Sequence, residues 1–200
     1  DEGFKRIFGQ EESKPVLLPF LQELLRGEHE VKDLQYTAII NSVSQLSSPY
    51  TETSEGSLAG LIDNNTSTYW HSNWSGGSVA GGIHYLQADL IETADMDIYA
   101  TFTRRVTMND HVTQISVMGT NNPNASKADC EVLLVWNTPY GSNTETLTSE
   151  MSSNGGYRYL RFYANTTTSN RGYWHMSEFQ LFRGTPATDA LIHKMQTEAN

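Results

Sequence analysis

A mainly β fold, an antiparallel sandwich or barrel with helical ends, follows from three features of this 200-residue chain. Short segments of alternating apolar residues recur from about Ser47 onward. Loops rich in Asn, Ser, Thr and Gly separate them, which is the punctuation of short strands. The first and last stretches carry helical spacing instead.

At the N-terminus, SKPVLLPFLQELLRG places Leu17, Phe20, Leu21, Leu24 and Leu25 on one helical face. Ser13 suits the start and Gly27 the end, while Pro19 starts the helix late or kinks it. Residues 28–33 read as a charged connector, and 36–46 as either a short helix or the lead into a first strand. The segments HYLQADL, HVTQISVMG, CEVLLVW, GYRYLRFYA and MSEFQLF follow as strands. Ile115, Val117 and Gly119 keep a period of two, as do Val132, Leu134 and Trp136, so each strand is expected to bury one face. Tyr157, Tyr159 and Arg161 alternate with Leu160 and Phe162, which puts aromatic rings outside as well as inside. After Phe182, Thr185 caps and Pro186 opens a last helix striped by Ala190, Leu191 and Met195. The expected organisation is a helical extension over 1–46, a β-sandwich over 47–184 and a helical extension or linker over 185–200.

Composition narrows the function. A formal charge of -10 argues against nucleic-acid binding and against a basic grip on anionic lipid. A single cysteine, Cys130, allows no internal disulfide. No apolar run reaches the roughly 20 residues of a membrane-spanning helix. Catalysis finds little support: no HExxH, CxxC or GxSxG occurs, and His71, His84, His111 and His175 are widely spaced. A hydrolase needs two carboxylates across a cleft; Asp63 and Glu178 could meet, but their neighbours look like a metal shell.

The most distinctive stretch is LIDNNTSTYWHSNW, residues 61–74. It crowds one carboxylate, many neutral oxygens and a cluster of rings into fourteen residues. Together with HYLQADL, ISVMGTNN, GYRYLRF and WHMSEFQLF, in that order, it resembles the discoidin-like, coagulation factor 5/8 type C domains. The likeness is greatest to their bacterial branch, the carbohydrate-binding modules of family 32. The family pattern reads here as Asp63, Asn64, Asn65, Thr68 and Trp70. The resemblance implies an eight-stranded, galactose-binding-domain-like jelly roll with loops gathered at its ends. A second resemblance, of residues 1–36 to the opening of PD-(D/E)XK transposase nucleases, lacks that family's catalytic core and lends no nuclease activity.

The first resemblance implies a structural Ca2+. A hard cation takes six to eight oxygens from carboxylates, carbonyls, amides and water. Leu61, Asp63, Asn65 and Thr68 offer such oxygens, and the resemblance adds Glu178 with the carbonyl of Ser177. The competing reading is a hydrogen-bonded Asx turn without metal. The usual glycine after the Asp is Asn64, which tolerates a left-handed backbone.

The resemblance also implies a sugar pocket. Rings stack on the C–H face of a pyranose, and a planar guanidinium aims donors at its hydroxyls. His71 and Trp74 have the family spacing. Arg105 is favoured over Arg104, Glu55 or Glu52 supplies an acid, and Tyr173 or Trp174 a stacking platform. Trp70 reads as core. The expected function is non-catalytic recognition of terminal galactose or N-acetylgalactosamine on glycans. The module is expected to belong to a larger exported or cell-surface protein carrying a catalytic domain. The alternative is protein adhesion by a discoidin-type module. The hydrophilic loops argue against membrane insertion.

Overall fold

The computed structural model describes residues 37–105, 110–138, 146–151 and 153–183, with backbone only over 146–150. Both terminal helices expected from the sequence fall outside these residues. Among the described residues no α-helix occurs, and the only helical turns are 3-10 turns at Val43–Gln45, Leu58–Leu61 and Lys127–Asp129.

Residues 38–46, expected to close a helical extension, instead enter the compact unit Ala38–Arg183. They carry the end of strand β1 (Thr37–Ala38), the first 3-10 turn and the start of β2 (Leu46–Ser47). The turn is fixed by a capping box, in which Ser42 accepts from Ser44 and Gln45 reaches back to the Ser42 amide. Gln45 also donates to the Ile39 and Asp89 carbonyls, so this polar side chain is buried with its bonds made.

The remaining strands are β3 (Trp70–His71), β4 (Tyr85–Asp89), β5 (Ile98–Thr103), β6 (Val112–Thr120), β7 (Glu131–Asn137), β8 (Thr146–Met151), β9 (Tyr159–Thr167), β10 (His175–Met176) and β11 (Glu178–Arg183). They form a five-stranded sheet ordered β2-β4-β9-β6-β7 and a four-stranded sheet ordered β1-β11-β5-β8. A two-stranded ribbon, β10-β3, completes the set. The strand pairings among the described residues that define these sheets are antiparallel. Eleven strands among the described residues thus replace the expected eight. β5 shows the period-two signal clearly, with Ile98, Ala100 and Phe102 buried.

The core lies between the two large sheets. Leu86, Ala88, Ile115, Val117, Leu160 and Phe162 come from one side, and Ile98, Phe102, Phe179 and Leu181 from the other. Edge-on ring pairs cross the gap: Phe162 with Phe179 at 5.0 Å and Phe102 with Trp136 at 5.2 Å. Val132 departs from the expected pattern and is 54% exposed. A register shift between Val117 and Met118 pairs them with Leu134 and Val132, so Leu133 is the extra residue and the alternation flips there. Arg161 faces away from the core yet is buried. It donates to Gln87 and to the Pro123 and Ala125 carbonyls at 2.7 Å each, which clamps the 121–130 loop over the sheet.

Candidate functional site

The ribbon β3–β10 carries the distinctive stretch across one end of the sandwich. Trp70 is fully buried, meets Trp174 edge-on at 5.5 Å, and donates its indole N–H to Thr51 Oγ1 at 3.0 Å. Strand alternation then turns Tyr69 and His71 to the opposite side from Trp70. Ser72 is buried at the junction: its amide donates to the Trp174 carbonyl and its hydroxyl accepts from the Trp174 amide.

Glu52 and Glu55 have different duties. Glu52 is buried, with Oε1 accepting from the Thr53 and Ser54 amides and the Ser54 hydroxyl. Its Oε2 accepts from the amides of Trp74 and Ser75. These bonds, the Ser54 hydroxyl foremost and then the Ser75 amide, hold its pKa down to about 2. Glu52 therefore anchors the backbone beneath Trp74 and offers nothing outward.

Glu55 is the centre of an open cluster. It accepts the Tyr69 hydroxyl at 2.6 Å and the Trp74 indole N–H at 2.7 Å, and pairs with Arg105 at 3.5 Å. The Arg105 guanidinium lies 3.3 Å from the centroid of the Tyr69 ring. Trp74 is 41% exposed. Glu55 titrates below its ordinary range: burial opposes this, and the Tyr69 and Trp74 bonds and Arg105 overcome it. The approach requires Gly56, whose φ is +68° and where a Cβ would meet the Tyr69 carbonyl at 2.6 Å.

The structure thus brings together Glu55, Trp74 and Arg105. Arg104 goes elsewhere: it is buried and donates to the Thr138 carbonyl at 2.8 Å. His71 is buried, and its Nδ1 lies 2.6 Å from the Ser72 carbonyl. A carbonyl only accepts, so Nδ1 carries the proton and Nε2 is left as an acceptor. Burial pushes His71 below its ordinary pKa. Tyr173 packs beside it at 5.9 Å, mostly buried, with its hydroxyl bonded to Arg171. Trp174 is not at the surface at all. It is 0% exposed in the core against Trp70, so of the two proposed platforms only Tyr173 lies near the site. Tyr69 is the residue that the sequence reading passed over, although its place directly before a core tryptophan marks it as outward-facing.

The Asp63 turn closes on itself. Asp63 accepts from the Asn65 amide and from Thr68 Oγ1, and Asn65 Oδ1 accepts from the Ser67 amide. Asn64 takes the left-handed backbone, φ 58°. Leu61 is buried under the turn, and Ser177 is buried next to Glu178, its amide bonded to the Thr103 carbonyl. Among the described residues no three His, Cys, Asp or Glu side chains converge as a metal set. A calcium shell built mainly from neutral oxygens does not require three. Glu178 faces this turn: burial first, and then Asp63, push its pKa up against the lowering pull of the Asn65 and Asn64 amides. Its Oε1 is buried without a hydrogen-bond partner. A buried, unpartnered carboxylate oxygen beside a second carboxylate fits a cation between Asp63 and Glu178, which would satisfy both.

Comparison with known proteins agrees with this fold. No curated protein matches the chain. Among solved structures, the family 32 CBM of Clostridium perfringens NanJ, in complex with galactose, is 18% identical with a TM-score of 0.54, over 74% of this chain and 99% of that one. CpGH89CBM32-5 of Clostridium perfringens, in complex with GalNAc-beta-1,3-galactose, is 14% identical with a TM-score of 0.55, over 72% and 99%. A structure of the CBM32-1, CBM32-2 and M60 catalytic domains of Clostridium perfringens ZmpB is 9% identical with a TM-score of 0.57, over 78% of this chain and 16% of that one. A model of the PD-(D/E)XK nuclease family transposase matches residues 1–45. The F5/8 type C domain model matches residues 40–179, well over half of the chain, and the chain belongs to that family.

Proposed function

We propose that this chain is a non-catalytic module binding terminal sugars of the galactose or N-acetylgalactosamine type. The observation that carries the reading is the Glu55–Tyr69–Trp74–Arg105 cluster, in which an exposed indole and a guanidinium share one carboxylate. Trp74 offers the stacking face, Arg105 and Glu55 the hydrogen bonds, and His71 Nε2 an acceptor beneath. Two family neighbours hold galactose-containing ligands, which supports this class of sugar.

Calcium belongs to the proposal as a structural ion. Asp63 and Glu178 supply carboxylates, and Asn65, Thr68, Leu61 and Ser177 supply neutral oxygens. Bound there, the ion ties the loop before Tyr69 to β11 and steadies the cluster. The module is further proposed to sit in a larger exported glycan-active protein, as the arrangement in ZmpB illustrates. One small site binds weakly, on the order of micromolar to millimolar. Tethering to a catalytic domain raises its effective concentration.

A glycan array read with and without EDTA tests the reading. Signal on terminal galactose or N-acetylgalactosamine, reduced by EDTA, is expected. Silence on every glycan, with binding to a purified surface protein, overturns it in favour of protein adhesion.

A further inference from the structure

The surface beside Trp74 holds a second aromatic platform that the proposed pocket does not use. Tyr50 is half-buried, and its ring stacks on His84 at 4.6 Å with 28° between the planes. His84 is itself buried, with Nδ1 held at 3.0 Å from Ser72 Oγ. The Tyr50 ring thus lies flat on a buried ring while the residue keeps part of its surface exposed. Tyr85 braces Tyr50 edge-on at 5.6 Å. The platform is therefore rigid, with little rotamer freedom left to lose when a ligand settles on it.

Its position ties it to the pocket. The Asn73 amide donates to the Tyr50 carbonyl, and Thr51 bridges Ser72. Trp74 follows Asn73 directly, so Tyr50 and Trp74 spring from backbone within about 9 Å of each other. Glu52 binds the Trp74 amide, which fixes the spacing of the two segments. Two cations border the ring ladder, Arg161 at 4.7 Å from the Tyr85 centroid and Lys127 at 4.6 Å from the Tyr163 centroid, and both are held by other bonds. Lys127 is committed to the Gly82 carbonyl, and Arg161 to Gln87 and two carbonyls. A flat, braced aromatic ring suits the C–H face of a pyranose.

We propose that Tyr50 is a second sugar subsite, receiving the next ring of a glycan whose terminal residue sits on Trp74. This rests on the sugar-binding reading above and deepens it: the ligand is an oligosaccharide, recognised over at least two linked rings. One stacked ring contributes about five- to tenfold in affinity.

Titration calorimetry with galactose and with a di- and a trisaccharide ending in galactose or N-acetylgalactosamine tests it. Wild type is expected to bind the longer ligands about five- to tenfold more tightly than the monosaccharide. Tyr50→Ala is expected to lose that gain and keep monosaccharide binding, whereas Tyr50→Phe keeps both. Should Tyr50→Ala fail to fold, wild-type NMR reads the same distinction: Tyr50 ring resonances move with trisaccharide and not with galactose. Monosaccharide binding with no dependence on chain length overturns the subsite alone. Absence of binding to any saccharide removes the parent reading and the subsite with it.

Discussion

Trp74→Ala separates recognition from folding. The indole is 41% exposed and its N–H bond to Glu55 lies at the surface, so water replaces that donor when the ring is removed. Its backbone amide stays on Glu52, so the loop keeps its anchor. The folding cost is therefore about 1 kcal/mol or less, a fall in Tm of about 4 °C at most. Binding is different, because in the proposed site the ring supplies the stacking face. Loss of the stacking face is expected to cost about 2 kcal/mol, roughly thirtyfold in Kd, which takes a millimolar site beyond detection. Titration calorimetry with galactose and scanning calorimetry on the same sample read both quantities. A variant that melts more than about 10 °C lower yet binds galactose as wild type does would show that the ring is structural.

Three other perturbations reach different layers. Asp63→Ala is expected to lower Tm and abolish its rise with added calcium, a rise worth about 2.7 kcal/mol at a hundred times Kd; a calcium response that survives the change refutes the ion site. Trp174→Ala, in the core against Trp70, is expected to destabilise by about 3–5 kcal/mol in urea unfolding; a change below about 1 kcal/mol contradicts its burial role. Glu52, with its pKa lowered to about 2, contributes stability present in full above its unfolded value of 4.5 and lost as pH falls between the two. Melting curves of wild type and Glu52→Gln are therefore expected to converge toward pH 2, and parallel curves across that window refute the clamp.

Much of the sandwich was legible because alternating apolar residues of its strands face the core. HYLQADL, HVTQISVMG and GYRYLRFYA became β4, β6 and β9, although these strands are largely buried on both faces rather than on one. The pattern failed at Val132, where a register shift that no local signal announces flips the alternation. It failed also over residues 38–46, whose apolar residues suit a helix or a strand equally until sheet partners decide. In the site, Arg105 was separable from Arg104 only by its place in the family order, since the two are adjacent and both follow the end of β5. Tyr173 and Trp174 posed a similar ambiguity: both are buried, Trp174 in the core against Trp70 and Tyr173 beside His71. The convergence of Glu55 on Tyr69 and Trp74 crosses fourteen and nineteen residues and depends on a tight glycine turn, so no spacing rule exposes it.

The division of labour between Glu52 and Glu55 has an evolutionary consequence. One acid grips main-chain amides and is indifferent to which side chains stand above it; the other touches only the side chains that face outward. Substitutions at Trp74, Tyr69 or Arg105 can therefore accumulate without loosening the scaffold. A chain built this way is free to change its preferred ligand in a few steps, and relatives sharing its frame need not share its taste.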